Sequence, residues 1–135
     1  YDLALADINT AIKMDAANVE AFNNRGMVYS AQGLLDLALA DHTKAMSLDP
    51  GYAKAYLDRG IVYNKKKMND DAIADLNQAI KVDPKYMGAY LMRGAIYFDT
   101  KRYDLAKADM EKVLVLSPGQ KLATDTLARI AALPK

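Results

Sequence analysis

The sequence has no cysteine and no tryptophan, a single histidine, two phenylalanines and four prolines in 135 residues. Without cysteine it forms no disulfide, carries no thiol nucleophile and ligates no zinc through sulfur, although this leaves the cellular compartment open. One histidine, His42, falls short of the two or three convergent ligands a metal site wants, so neither a metal nor another cofactor is expected. Charge of one sign is also lacking: 18 basic against 17 acidic side chains leave a net +1. So balanced a chain offers nucleic acid or an acidic membrane surface no broad attraction. No apolar run reaches the roughly 18–20 residues that a membrane-spanning helix needs, so insertion is not expected. There is no Ser/His/Asp order, nucleophile elbow, P-loop or dinucleotide glycine pattern, and an enzyme is not expected. The sequence starts at Tyr1 with no initiator methionine or signal-like stretch, which suggests a piece of a longer protein.

What the chain does have is repetition. Gly26, Gly60 and Gly94 stand at equal intervals, and Tyr29, Tyr63 and Tyr97 share that interval. The same step links Phe22, Tyr56 and Tyr90, then Ala38, Ala72 and Ala106, then Pro50, Pro84 and Pro118. Apolar residues such as Leu37, Ala38, Ala45, Met46 and Leu48 recur with helical spacing. Asp-Pro at 49–50 and 83–84 and Ser-Pro at 117–118 end a helix in each copy. "AQGLLD", "KKKMND" and "TKRYD" read as the turn between two helices. Gly26 and Ala38 are expected to be small because two helix backbones approach closely there.

Such a unit, about 34 residues long with its Gly, Tyr, Ala and closing Pro in register, resembles the tetratricopeptide repeat (TPR) family. The chain would be a subtype with Arg-Gly where the family usually has Leu-Gly. Full repeats are assigned to 19–52, 53–86 and 87–120. Residues 1–18 match the second half of a repeat, with Ala16 where Pro would stand. Residues 121–135 match a first half loosely, Ala128 and Ala131 replacing Gly and Tyr, and read as a capping helix. A lone helix pair cannot bury its apolar face, so the units must stack. The resemblance implies one all-α TPR domain over 1–135: an α-α superhelix, or solenoid, of eight antiparallel helices. It also implies a right-handed superhelix with the first helix of each repeat lining a concave face.

The Arg-Gly dipeptide first suggests a loop that grips phosphate or RNA. Its recurrence places it within a helix instead. A second column recurs with it on the other helix: Asp7, Asp41, Asp75 and Asp109. Joint recurrence predicts ion pairs. The preferred register joins each Arg to the Asp of the preceding repeat, as Asp7–Arg25, Asp41–Arg59 and Asp75–Arg93. Pairing within a repeat is the rival, and it orphans Asp7.

His42 shares its column with Leu76 and Met110 and is expected to be packed. Lys65, Lys66 and Lys67, with Lys101 and Arg102, read as solvated turn residues that could also meet an acidic partner. Met14, Met46 and Met87 read as ordinary packing, whereas Met27 and Met92 fall toward the concave face, where adaptable methionine suits peptide contact.

TPR proteins bind a peptide or helix of another protein in that groove, so the resemblance implies a non-catalytic scaffold with a protein or peptide partner. The helical step assigns to the groove Asn23, Asn24 and Met27, with Glu20 and Ala31, in the first full repeat. Lys54, Leu57, Asp58, Ile61, Asn64 and Lys65 follow, then Leu91, Met92, Ala95, Phe98 and Asp99, then Asp125 and Arg129. A family subtype clamps the acidic tails of heat-shock chaperones with Lys, Asn and Arg. Asn24 and Lys54 match two clamp positions, but Asp58 stands where an Arg is needed, which argues against the clamp. The alternative function is self-association into homo-oligomers, because the first helix leaves Leu5, Ile8 and Ile12 poorly covered.

Overall fold

The computed structural model describes residues 1–135 and is all-helical. Its eight helices are α1 (Asp2–Met14), α2 (Val19–Ala31), α3 (Leu35–Leu48), α4 (Ala53–Lys65), α5 (Asn69–Val82), α6 (Met87–Asp99), α7 (Tyr103–Leu116) and α8 (Lys121–Ala131). Each is at most 14 residues long, too short to be stable alone in water, so packing must hold it. The chain divides into two compact units, Tyr1–Asp75 and Leu76–Lys135, with the border inside α5.

The turns explain why the helices come in pairs. After α2, α4 and α6 the chain passes through a left-handed residue: Gly33 (φ 79°), Lys67 (φ 64°) and Lys101 (φ 64°). Gly33 N–H donates to the Ser30 carbonyl and Leu34 N–H to the Tyr29 carbonyl; the same two bonds recur at Lys67/Met68 and Lys101/Arg102. This is a Schellman ending, which satisfies the last carbonyls of the helix and reverses the chain. Glycine suits such a residue, and two of the three repeats place lysine there.

The turns between repeats use a different device. Asp15, Asp49 and Asp83 accept backbone N–H bonds through their Oδ1 atoms from the residue two further on, at 3.0, 2.9 and 3.1 Å. Such Asx turns hold the helix end open. Asp15 adopts the same extended geometry as Asp49, although Ala16 rather than Pro follows it. Tyr56 and Tyr90 then donate their hydroxyls to the carbonyls of Pro50 and Pro84, at 3.2 and 2.8 Å.

In the first unit Phe22, Ala45 and Ala55 form a buried cluster, with Ile12, Val19, Met46, Leu48 and Tyr52 packed around it. In the second, Met110, Val113 and Ala123 do so, flanked by Met87, Tyr90, Leu91, Ala95, Leu114 and Leu127. Ala38, Ala72 and Ala106 are fully buried, so the small-residue column is a real packing constraint. Met46 and Met87 pack as expected. Met14 does not: it is 83% exposed.

The glycine column works differently from the expected backbone approach. A Cβ on Gly26 would lie 2.7 Å from Cε1 of His42, and one on Gly94 3.0 Å from Cβ of Asp109 and Cε of Met110. Each glycine clears a slot for a side chain arriving from the second helix of its own repeat.

Candidate protein-binding faces

The arginines and aspartates do pair, in the rival register. Arg25 donates Nε and Nη2 to the two oxygens of Asp41, both at 2.8 Å. Arg59 grips Asp75 the same way at 2.8 Å, and Arg93 grips Asp109 at 2.9 and 2.7 Å. The predicted pairs Asp7–Arg25, Asp41–Arg59 and Asp75–Arg93 are therefore corrected to Arg25–Asp41, Arg59–Asp75 and Arg93–Asp109.

The hairpin supplies part of the reason. Positions 25 and 41 lie equally far either side of the turn residue Gly33, 59 and 75 flank Lys67, and 93 and 109 flank Lys101. Antiparallel helices folded about that residue bring the two side chains level. The third guanidinium nitrogen settles the matter. Nη1 of Arg25, Arg59 and Arg93 donates to Asn9, Thr43 and Asn77 at 3.0, 3.1 and 2.7 Å, each in the second helix of the preceding repeat. Asn9 is two residues past Asp7, about 200° round the helix, so one column cannot serve both neighbours. The polar column Asn9/Thr43/Asn77 was visible in the sequence and names the junction partner.

Bidentate pairing with Asp raises the Arg25, Arg59 and Arg93 pKa values further above the ordinary arginine range, against a smaller effect of burial. Each guanidinium also lies over aromatic rings of its own helix, Arg59 5.6 Å from Tyr63 and Arg93 5.6 Å from Tyr90. These arginines face inward. Asp7, the first of its column, is exposed and has no arginine.

Two residues assigned to the groove prove to be interior. Asn23 is fully buried and Asp58 is 8% exposed. Asn23 donates Nδ2 to Asp58 at 2.8 Å and offers Oδ1 to Nδ1 of His42 at 2.7 Å. Because the amide oxygen can only accept, Nδ1 carries the proton and Nε2 is left with a lone pair. That Nε2 is buried without a hydrogen-bond partner, and the ring lies against Gly26. Burial therefore lowers the His42 pKa to about 4, outweighing the attraction of Asp58 and Asp41.

The expectation that His42 is packed holds, yet its polar company was missed. Asn23 stands in a column of Leu57 and Leu91, His42 with Leu76 and Met110, and Asp58 with Asn24 and Met92. Asn23 and His42, each a polar departure from an otherwise apolar column, were the available signal, and with Asp58 they converge on one buried network.

The surface in the first unit consists of other residues. Asn24 and Met27 are exposed on α2, and Lys54, Leu57, Ile61 and Asn64 are half-buried on α4. Lys54 Nζ lies 3.1 Å from the Met27 sulfur and 3.4 Å from Asp58. Lys65 reaches Ser30 at 3.0 Å, and Lys66 pairs with Asp36 at 2.7 Å. Between α1 and α2 lies an open cavity of about 240 Å³, lined by Asp7, Ile8, Ala11, Asn18, Glu20, Ala21 and Asn24.

In the second unit Leu91 and Ala95 are half-buried against the Met110–Val113–Ala123 cluster. Phe98 meets Tyr103 edge-on at 5.4 Å and is capped by the Arg129 guanidinium at 4.6 Å. Met92 is half-buried, and Asp99 and Asp125 are exposed. No group of three or more His, Cys, Asp or Glu is placed to hold a metal ion. No helix is long and apolar enough to cross a membrane.

Helical hairpins recurring at one fixed interval and clasped by inward charges define a helical-repeat protein built to present surface. Profiles of the tetratricopeptide repeat match residues 19–52, 53–86 and 88–120. The chain belongs to the tetratricopeptide repeat family. No curated protein sequence matches it. Among solved structures it is similar to the first TPR of Spaghetti (RPAP3) bound to the HSP90 peptide SRMEEVD. The two are 32% identical with a TM-score of 0.82, over 87% of this chain and 93% of that one. It is similar to MamA at 27% identity and a TM-score of 0.82, over 93% of this chain and 74% of MamA. The second TPR domain of human RPAP3, in complex with the HSP70 peptide SGPTIEEVD, is 29% identical with a TM-score of 0.77. That match covers 83% of this chain and 93% of that one.

Proposed function

We propose that the chain is a non-catalytic scaffold whose first helices bind a peptide or helix of a partner protein. One observation carries the reading. On α2 and α4 of the first unit, exposed Asn24 and Met27 adjoin half-buried Lys54, Leu57, Ile61 and Asn64 on a face the fold does not cover. Flexible and aliphatic contacts beside a few polar anchors suit an adaptable peptide site. Met92 and Phe98 offer similar chemistry on α6 of the second unit. Similar TPR domains hold peptides ending in Glu-Glu-Val-Asp. An acidic tail of that kind is a poor match at Lys54, whose ammonium already lies 3.4 Å from Asp58. The single histidine supports the non-catalytic reading, since it is 1% exposed and held in a structural network.

The test is partner capture by Met27→Asp, Lys54→Glu and Met92→Asp with circular dichroism as the folding control. Capture should fall with each fold intact. Normal capture by all three sinks the reading. Leu91 is avoided because a charge there would strike the core cluster.

A second reading, homo-oligomerisation through the terminal helices, is favoured by α1, which buries no residue and leaves Leu3 85% exposed. Sedimentation across a wide concentration range checks it. A monomer throughout rejects it.

A further inference from the structure

We propose, resting on the peptide-face reading above, that the α2/α4 face selects an uncharged carboxamide: an asparagine or glutamine side chain of the partner segment, held between Asp58 and Lys54. The buried aspartates of the molecule are not alike. Asp41, Asp75 and Asp109 are 5–6% exposed, and an arginine takes both oxygens of each. Asp58 is 8% exposed, yet only its Oδ2 is bonded, by Nδ2 of Asn23 at 2.8 Å and Nζ of Lys54 at 3.4 Å. Its Oδ1 accepts nothing from the chain, and it is not one of the enclosed orphan atoms, which are Oε1 of Gln32 and Nε2 of His42. That oxygen is therefore open to solvent. Buried carboxylates are normally bonded at both oxygens, so the vacancy marks a place for a donor from outside.

Lys54 supplies the complement. An ammonium has three N–H donors, and two are engaged, by the Met27 sulfur at 3.1 Å and by Asp58. One donor and one acceptor are left side by side on an ion pair whose lysine side chain is 40% exposed. The charges of the pair decide what it takes. A partner carboxylate that reached Lys54 would meet Asp58, and a partner ammonium that reached Asp58 would meet Lys54. A carboxamide offers its N–H to Oδ1 and its oxygen to Nζ, with no like charge facing either. Asn23, fully buried and bonded to His42, keeps the carboxylate from turning away. The second unit has no such pair, because Gly88 and Met92 stand in the Lys54 and Asp58 columns.

The probe is a phage-displayed library of random linear peptides of the length of SRMEEVD. It is selected on the full 135-residue chain and counter-selected on Met27→Asp, which discards peptides that bind elsewhere. Asparagine or glutamine should dominate one position. Fluorescence anisotropy of a selected peptide then compares the amide at that position with glutamate, lysine and leucine. Each exchange should weaken binding about tenfold to a hundredfold, as when a hydrogen bond to a charged group is lost. Two variants of the protein should redirect the preference in opposite senses. Asp58→Asn still accepts from Asn23 and turns its own amide N–H outward, so glutamate should bind it at least as tightly as the amide. Lys54→Met leaves Asp58 without its cation, so lysine should bind it better than the amide. Circular dichroism checks both folds, and the Lys54→Met arm decides alone if Asp58→Asn does not fold.

Failure to select any peptide that Met27→Asp rejects overturns the peptide face and this inference together. Peptides that Met27→Asp rejects but that show no amide at a fixed position overturn this inference alone. So do glutamate or lysine binding the unaltered chain as tightly as the amide, and a preference that neither variant moves.

Discussion

In the repeat over 19–52 the second helix lays His42 against Gly26, and in the repeat over 87–120 it lays Met110 against Gly94. Around Met110 the neighbours are apolar, including Leu91, Ala95 and Val113. Around His42 they are Asn23, Asp58 and, at the edge, Lys54. Yet the arginine clasp, the left-handed turn residue and the buried alanine are common to both repeats. The hairpin fixes a slot, and the slot accepts either filling provided its polar atoms are paired. The polar filling meets that condition with one exception, Nε2 of His42.

The largest expected effect tests what the two repeats share. Arg25→Ala and Arg93→Ala should each cost on the order of 3 kcal/mol, since each strands a buried carboxylate. The value sits at the low end because the guanidiniums are 23% and 20% exposed. Chemical denaturation measures both, and a marked inequality would break the comparison. A double-mutant cycle should show strong coupling for Arg59 with Asp75 and near-additivity for Arg59 with Asp41.

Next comes pH, which should separate the two fillings. The folded pKa of His42, about 4, lies below its ordinary value of 6.5, so the unfolded chain binds the extra proton first. Stability is full above pH 6.5 and falls as pH drops toward 4, by about 3 kcal/mol in all. His42→Met combined with Asn23→Leu should flatten this slope while preserving the fold. A slope that survives the double change assigns the titration elsewhere.

Gly26→Ala should then destabilise by about 2 kcal/mol, because the His42 ring is rigid and tethered to Asn23. A Cβ on Gly94 meets Cβ of Asp109, held by the Arg93 clasp, as well as the flexible end of Met110, both at 3.0 Å. Gly94→Ala should therefore also destabilise, but less than Gly26→Ala, as the helix propensity gained by alanine, about 1 kcal/mol, offsets part of the cost. Equal losses would show that backbone approach, not the seated side chain, sets the glycine column.

The smallest effect is at the turn. Lys101→Gly should stabilise by up to about 1 kcal/mol by relieving a left-handed lysine, and Gly33→Ala should destabilise by a similar amount. Thermal melts resolve both signs.

These contrasts show where the sequence was readable. The repeat length, the helix pairs and the Asp-Pro stops follow from spacing and turn chemistry, and the helices lie where that spacing puts them. The partner of each arginine does not follow from the arginine and aspartate columns alone. A strict period places an Asp before and after every Arg, and the choice depends on which way each side chain leaves its helix. The Asn9/Thr43/Asn77 column held that information. Asn23 and Asp58 were assigned outward by helical step, but a polar side chain turns inward once partners such as His42 complete its bonding. Asn24 remained exposed, and so did Met27, whose sulfur meets only the Lys54 ammonium.

The three nitrogens of each clasp are unequal in a way that matters when the molecule is pulled. Nε and Nη2 close the hairpin on a buried carboxylate, while Nη1 reaches the preceding helix through an exposed bond. Parting two neighbouring repeats breaks one water-exposed bond per arginine, whereas opening a hairpin breaks two partly buried ones.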